Sequence, residues 1–351
     1  MSRRRDHVAT FDPRAVAAVL IVMLLATVVL SAAIGAYQVS IGDVFGSVAR
    51  RIGIMSDDPS DPIADELIWF IRLPRIVLGI LVGACLATAG AVMQGAFANP
   101  LSEPGIVGVS SGAMAGAALQ IVTGFAPLGI WTLPVAAFLG GLAAVAIVYA
   151  TARHDGRTET ITLILMGVAL NALAGAIIGL LAYVADDASL RSLTSWTLGS
   201  LAQSTWEKVW IVAPAALLGL VGAFSLRRTL DLLSLGDRAA RHVGVDVEKA
   251  RIRVLIVVAI LAASAVAVSG IVLFVGLLVP HVVRLFVGPT HRNLLPLSVL
   301  FGSVVVTLAD LLARNIVEPA ELPLGVLTSI LGAPVFIWQL RRLRTRHGGW
   351  A

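Results

Sequence analysis

Apolar residues run in blocks about twenty long from one end of this chain to the other, with polar residues gathered between them. A helix needs about 20 apolar residues to cross roughly 30 Å of hydrocarbon. Read on that length, the sequence predicts ten membrane helices, over 15–36, 72–93, 104–123, 130–151, 160–184, 207–226, 254–270, 271–288, 295–313 and 325–341. The expected fold class is an all-α polytopic membrane protein, one transmembrane domain over 1–351 with tails at 1–14 and 342–351. The first block follows MSRRRDHVATFDPR and ends in small residues, as a signal peptide does. At about 22 residues its apolar run is long for that class, so it is read as an uncleaved span. Glycine and alanine crowd the blocks, as in GACLATAGAVMQGA and SSGAMAGAALQ. Small residues let helix backbones approach closely in lipid, so a tightly packed bundle is expected.

Composition removes other classes. With 58% hydrophobic and 13% charged residues, this is no soluble domain, where about 25% would be charged. The formal charge of +5 invites a nucleic-acid reading, but the arginines sit in short links and no soluble basic domain forms a groove. With the amino terminus inside, 19 Lys and Arg fall on the cytoplasmic side and 7 outside, which sets both termini in the cytoplasm. Cys85, the single cysteine, lies inside a block and excludes a disulfide framework or cysteine metal site.

Enzyme signatures are missing too. A phosphate-cradling P-loop needs lysine directly after glycine. The two lysines, Lys208 and Lys249, follow Glu207 and Glu248, so ATP is not expected to bind this chain in that way. No HExxH or GxSxG motif appears. All six histidines (7, 154, 242, 281, 291, 347) fall in tails, links or block ends on the inner side, so no resident haem is expected, which leaves a passing haem open.

Few polar residues enter the blocks. Asp310 stands four residues before Arg314, the spacing of a helix-surface ion pair, and is read as that pair rather than a proton relay. Asn171 is the best mid-membrane polar side chain; it lines a passage or hydrogen-bonds a neighbouring helix. Gln94, Asn99, Pro100, Ser102 and Glu103 occupy the link QGAFANPLSEPG. Broken backbone at membrane depth is tolerated where protein or a water-filled cavity satisfies it, so this link is expected to border a pathway or its inner gate.

The longest cytoplasmic interruption, 230–253, is longer than a helix–helix turn requires. Asp237 reads as the N-cap of a short helix through Arg241, Gly244 as its stop and Asp246 as the start of a second. Two such helices form a knob for a soluble partner; the alternative is a solvated loop.

Seven stretches resemble one family. They are RLPR at 72–75, GAVMQGAFANPLSEPGIVGVSSGA at 90–113, SLGDRAARHVGV at 234–245, FVGLLVPHVVRL at 274–285, HRNLLP at 291–296, LADLLAR at 308–314 and ELPLGVLTSILGAPVFIW at 321–338. Together they resemble the membrane permeases of type II ABC importers for iron-siderophores, haem and vitamin B12, from about residue 65 to the end. The resemblance implies a homodimer of ten-span subunits in the bacterial inner membrane. It implies two cytoplasmic ATPase subunits carrying ATP and Mg, and a periplasmic substrate-binding protein. By the same resemblance, Leu235, Gly236, Asp237, Ala240, Arg241 and Gly244 belong to coupling helices that engage the ATPase. Arg72, Arg75 and Arg314 become exposed outer guanidiniums that pair with carboxylates of the binding protein. Gly167, Asn171 and Gly175 become path candidates, and Gln94, Asn99 and Pro100 the inner gate. Haem is the first cargo, ferric siderophore and cobalamin the alternatives. The readings from other classes are an ion-coupled secondary carrier and a membrane scaffold.

Overall fold

A computed structural model describes residues 11–55, 59, 61–154, 157–317 and 319–346; most of the expected tails at 1–14 and 342–351 lies outside or at the edge of this range. Helix α1 (Pro13–Ala33) starts where Asp12 caps it, its carboxylate accepting from the Arg14 amide at 2.9 Å. Two short helices follow, α2 (Ile41–Arg51) capped by Ser40 and α3 (Pro62–Leu67) capped by Asp61. A π-helical turn over Ile68–Arg72 then runs into α4 (Leu73–Ala96). A link with a 3₁₀ turn at Pro104–Val107 leads to α5 (Val109–Thr123), followed by α6 (Thr132–Ala152).

Strands β1 (Arg153–His154) and β2 (Arg157–Thr158) pair antiparallel, a small departure from the all-helical expectation. Two-residue strands carry no periodicity to read. Helices α7 (Thr160–Val184), α8 (Asp187–Leu198) and α9 (Trp206–Ser225) come next, α8 capped by Asp186 and α9 by Thr205. The chain continues through α10 (Arg227–Leu233), α11 (Asp237–His242) and α12 (Val247–Ser269). It closes with α13 (Val275–Val287), α14 (His291–Ala313) and α15 (Leu324–Arg346).

Each apolar block of the sequence falls on one of these helices. Among the described residues seven helices are long and apolar enough to cross a membrane, while the apolar stretches Val109–Thr123, Val275–Val287 and Leu324–Trp338 are shorter. One boundary moves substantially. Asp246 caps α12 itself, its carboxylate accepting from the Lys249 amide, so no second short helix starts there. Neither Gly nor Pro interrupts Val247–Ser269, and the helix runs straight through the polar start of the block. The paired short helices are α10 and α11.

Helix α4 is the centre of the bundle. Twenty of its 24 residues are buried, against α14, α12, α13 and α9. Its approach to two of them is backbone to backbone. A Cβ on Gly83 would lie 2.1 Å from the Gly302 carbonyl oxygen, and one on Gly90 would lie 1.7 Å from that of Gly276. Helix α7, by contrast, buries only Leu163, Gly167, Ala174 and Ile178 among 25 residues. Gly175 and Gly179 on it have open space where a side chain would stand. Replacing Gly90 by Val is therefore expected to cost about 3 kcal/mol or more through overpacking. Gly175→Ala is expected to stabilise by about 0.5–1 kcal/mol through helix propensity. Thermal unfolding of both purified variants in detergent checks this; equal melting temperatures would contradict the packing described.

Candidate functional site

The polar end of the bundle is built on α10, α11 and the first turns of α12. Gly236 (φ 95°) and Gly244 (φ 87°) adopt left-handed turns that bracket α11, which explains why glycine stands at both positions. Gly236, rather than Asp237, occupies the cap position, and Asp237 is the first helical residue. Leu235 and Val243 are 68% and 63% exposed, and the Arg241 side chain 53%, while Ala240 is fully buried beneath them. Two exposed aliphatic side chains beside a half-exposed guanidinium make a small surface suited to a protein partner.

Asp237 points the other way. Its carboxylate accepts from Arg251 Nη2 at 2.8 Å, and Arg241 reaches it at 4.0 Å. Arg251 is buried and also donates to the Thr158 carbonyl and to Thr160 Oγ1 at 3.2 Å. Glu248, one turn earlier on α12, accepts from the Thr158 amide at 3.0 Å, the Thr158 hydroxyl and the Tyr149 hydroxyl at 3.0 Å. Helix α11 is thus wired through Arg251 to β2 and the start of α7, while Glu248 ties α12 to β2 and the end of α6. Reading the sequence alone misses Arg251, Glu248 and Thr158. Their signal is a glutamate and an arginine three residues apart at the start of an apolar helix, charges that need partners.

Helix α10 has a second tie. Asp231 accepts from the His291 amide at 2.8 Å and lies 2.7 Å from its Nδ1, which carries the proton because an ionised carboxylate only accepts. His291 is buried, and a Cβ on Gly95 would sit 2.3 Å from its Nε2, so α10, α14 and the end of α4 meet at one point.

The expected gate link divides. Gln94 is inside α4, buried, and donates to the Leu277 carbonyl at 3.1 Å, so it braces α13 rather than standing in the link. Asn99 and Pro100 do lie in the link, where Asn99 accepts from the Leu101 amide at 2.9 Å and Ala98 adopts φ 47°. The Glu103 carboxyl has no hydrogen bond or ion pair among the described residues, and burial pushes its pKa up.

The path candidates on α7 also divide. A Cβ on Gly167 would lie 1.8 Å from the Ile106 carbonyl oxygen, so this glycine packs closely against the link. Asn171 is half-buried; it accepts from the Ser111 hydroxyl of α5 and donates to the Gly105 carbonyl of the link at 3.2 Å. Gly175 does lie on the open face, beside exposed Val168, Leu173, Leu180 and Tyr183.

At the opposite end the three arginines are not the exposed guanidiniums anticipated. Arg72 is 4% exposed and donates to the Ala32 and Tyr37 carbonyls. Arg75 is 7% exposed and forms a fork onto Asp310, with contacts of 2.9–3.1 Å, and onto Glu321 at 2.8 and 2.9 Å. Arg314 donates to the Ser31 hydroxyl at 2.8 Å. The Asp310–Arg314 side-chain pair is therefore replaced by Asp310–Arg75, because the carboxylate faces α4 rather than along its own helix. Arg75, hydrogen-bonded to Glu321, holds that loop carboxyl below its usual pKa.

Breaking a buried ion pair from one side costs about 3–5 kcal/mol, whereas replacing both partners by apolar groups is often nearly neutral. Arg75→Met is accordingly expected to destabilise strongly, and Arg75→Met with Asp310→Leu to recover most of the loss. Thermal unfolding of the two variants decides it; a mild effect of Arg75→Met would restore Arg314 as the partner of Asp310.

With this geometry in place, comparison with known proteins is specific. The FecCD transport family matches residues 23–342. The hemin transport system permease protein HmuU of Yersinia pestis is 44% identical over 290 residues, covering 80% of this chain and 85% of the relative. The vitamin B12 import system permease protein BtuC of Vibrio vulnificus is 38% identical over 334 residues, covering 94% and 96%. A solved structure described as an inward-facing conformation of a metal-chelate type ABC transporter superposes with a TM-score of 0.82 at 35% identity, over 94% of this chain and all of that one.

Proposed function

This chain belongs to the FecCD transport family, and on that premise we propose that it is the membrane permease of an ABC importer that moves haem into the cytoplasm. The observation that carries the reading is the exposed α11 surface wired through Asp237 and Arg251 to the start of the sparsely buried helix α7. A cytoplasmic ATPase pair would grip Leu235, Val243 and Arg241. Closure of that pair on ATP and Mg would displace α11, and Arg251 would pass the displacement to the start of α7. A second copy of this chain would face the open sides of α7 and α15, enclosing a path lined by small and aliphatic side chains. Asn99 and Pro100 would border its inner gate. A periplasmic binding protein would dock on the end that carries α2, α3 and α8, not through the buried Arg72 and Arg75. Both termini would then lie in the cytoplasm.

Haem is favoured by the relative named for hemin and by an apolar path without fixed charges on the open face of α7. The test is uptake by liposomes holding this chain and its ATPase, with the binding protein outside, ATP inside, and haem, a ferric siderophore or cobalamin offered separately. ATP-dependent accumulation of haem is expected. Another cargo would keep the mechanism and change the substrate; flux without ATP would make the chain a secondary carrier.

In the same assay Arg251→Met is expected to lower uptake by about tenfold, since hydrogen bonds to charged groups are worth roughly 1.5–3 kcal/mol. Lys249→Met, at a surface ion pair with Asp246, should leave uptake unchanged within about twofold. Equal rates in both variants would remove Arg251 from the coupling route.

A further inference from the structure

Beside α8 the chain forms an open cleft of about 600 Å³, within the range that holds small ligands. It lies where α5 and α12 end and α6 and α9 begin, and its polar lining includes Arg191, Lys208, Gln120 and Gln203 with several serines. Two cations face it and no carboxylate lines it. Asp186, whose carboxyl pKa is lowered chiefly by hydrogen bonds from Ser189 and further by nearby Arg191, caps α8 and is not among the lining residues. Lys208 Nζ donates to the Gln203 carbonyl at 2.7 Å, which leaves it two further N–H donors.

A second, apolar crevice continues from it. Pro134 and Ala267 line both spaces, and beyond them Val135, Phe138, Ile211 and Ala215 form a crevice of about 150 Å³ between α6 and α9. Those residues lie one to two turns further along the same two helices, toward the middle of the bundle. Helices α6 and α9 expose Leu139, Trp210, Leu217 and Val221 outside this crevice, a surface suited to hydrocarbon. No residue of α7, α13 or α15 lines either space, so both are separate from the open face assigned to cargo.

We propose that this paired cavity is a binding site for one anionic phospholipid, its phosphate held by Arg191 and Lys208 and an acyl chain laid along Phe138, Ile211 and Ala215. A soluble anion would use only the basic half. A zwitterionic lipid would bring its own cation to a cavity that has no carboxylate to meet it. The proposal stands apart from the identity of the cargo and from the ATPase.

Native mass spectrometry of the full chain in detergent, offered equal amounts of phosphatidylglycerol and phosphatidylcholine with identical chains, tests it. One phosphatidylglycerol per chain is expected to survive in preference. Arg191→Gln or Lys208→Gln should each cut that preference about fivefold, and both together about 25-fold. Lys208→Arg should keep it. Ala215→Phe, which fills the crevice, should weaken lipid retention without affecting the basic half. Equal retention of the two lipids, or an unchanged preference in the double variant, overturns the proposal. So does displacement of the lipid by equimolar glycerol 3-phosphate, which would make the cavity a site for soluble anions, or by equimolar haem, which would assign it to cargo.

Discussion

In a bilayer, lipid tails are as apolar as leucine, so helices gain nothing by hiding apolar surface from one another. What remains is close contact, and the bundle secures it by stripping side chains from α4 where it crosses its neighbours. Gly83 meets Gly302 on α14, and Gly90 meets Gly276 on α13, each at backbone contact. Everything else depends on this. Because α4 touches α14, α12, α13 and α9 at such short range, these helices form a body with little freedom to slide. Helix α7 is left outside it, tied by its Gly167 contact to the link, by Asn171 and by the hairpin at its start. The division between a rigid body and a loosely held helix follows from where the glycines are.

Charge is confined to the two ends, and there it specifies geometry more than it adds stability. Desolvating Arg75 and Asp310 offsets much of their attraction. Their fork nevertheless admits one arrangement of α4, α14 and the loop bearing Glu321, since a misplaced neighbour would leave a buried charge unpaired. The polar end works in the same way with Asp231–His291 and Asp237–Arg251. The former pins α10 to the rigid body, whereas the latter joins α11 to Arg251 on α12, which in turn holds Thr158 of β2 and Thr160 at the start of α7. A force applied to α11 therefore has one stiff route and one yielding one.

The sequence was most legible where a signal has length. Twenty-residue apolar blocks locate the membrane helices, and Gly244 marks the end of α11, because both features are properties of contiguous chain. Partners across the fold were not legible. Asp310 seemed matched to Arg314 by a local rule, yet its partner stands 235 residues away on α4. Gly167 and Gly175 look alike in sequence, and only the backbone of Ile106 beside one of them makes the first a packing residue and the second an open position. The outer arginines were read as exposed because the resemblance gives them a docking role toward a binding protein. Their burial depends on carbonyls of α1 and the following turn and on Glu321, none of which a motif reveals.

Alternating access needs two states that differ in contacts, because a partner shifts an equilibrium only by its differential affinity for them. Helix α7 is the element on which such a difference costs least. It buries four residues, so tilting it disrupts few apolar contacts, and its polar ties are few, at its start through Thr160 and at mid-height through Asn171. Moving α4 would break backbone contacts at two glycine crossings and the Arg75 fork together. Any drive that enters at α11 should therefore appear as motion of α7 against a still α4. The Asn171 bridge to Ser111 and Gly105 is then the contact most exposed to that motion, since it ties the moving helix at mid-height to the link carrying Asn99 and Pro100.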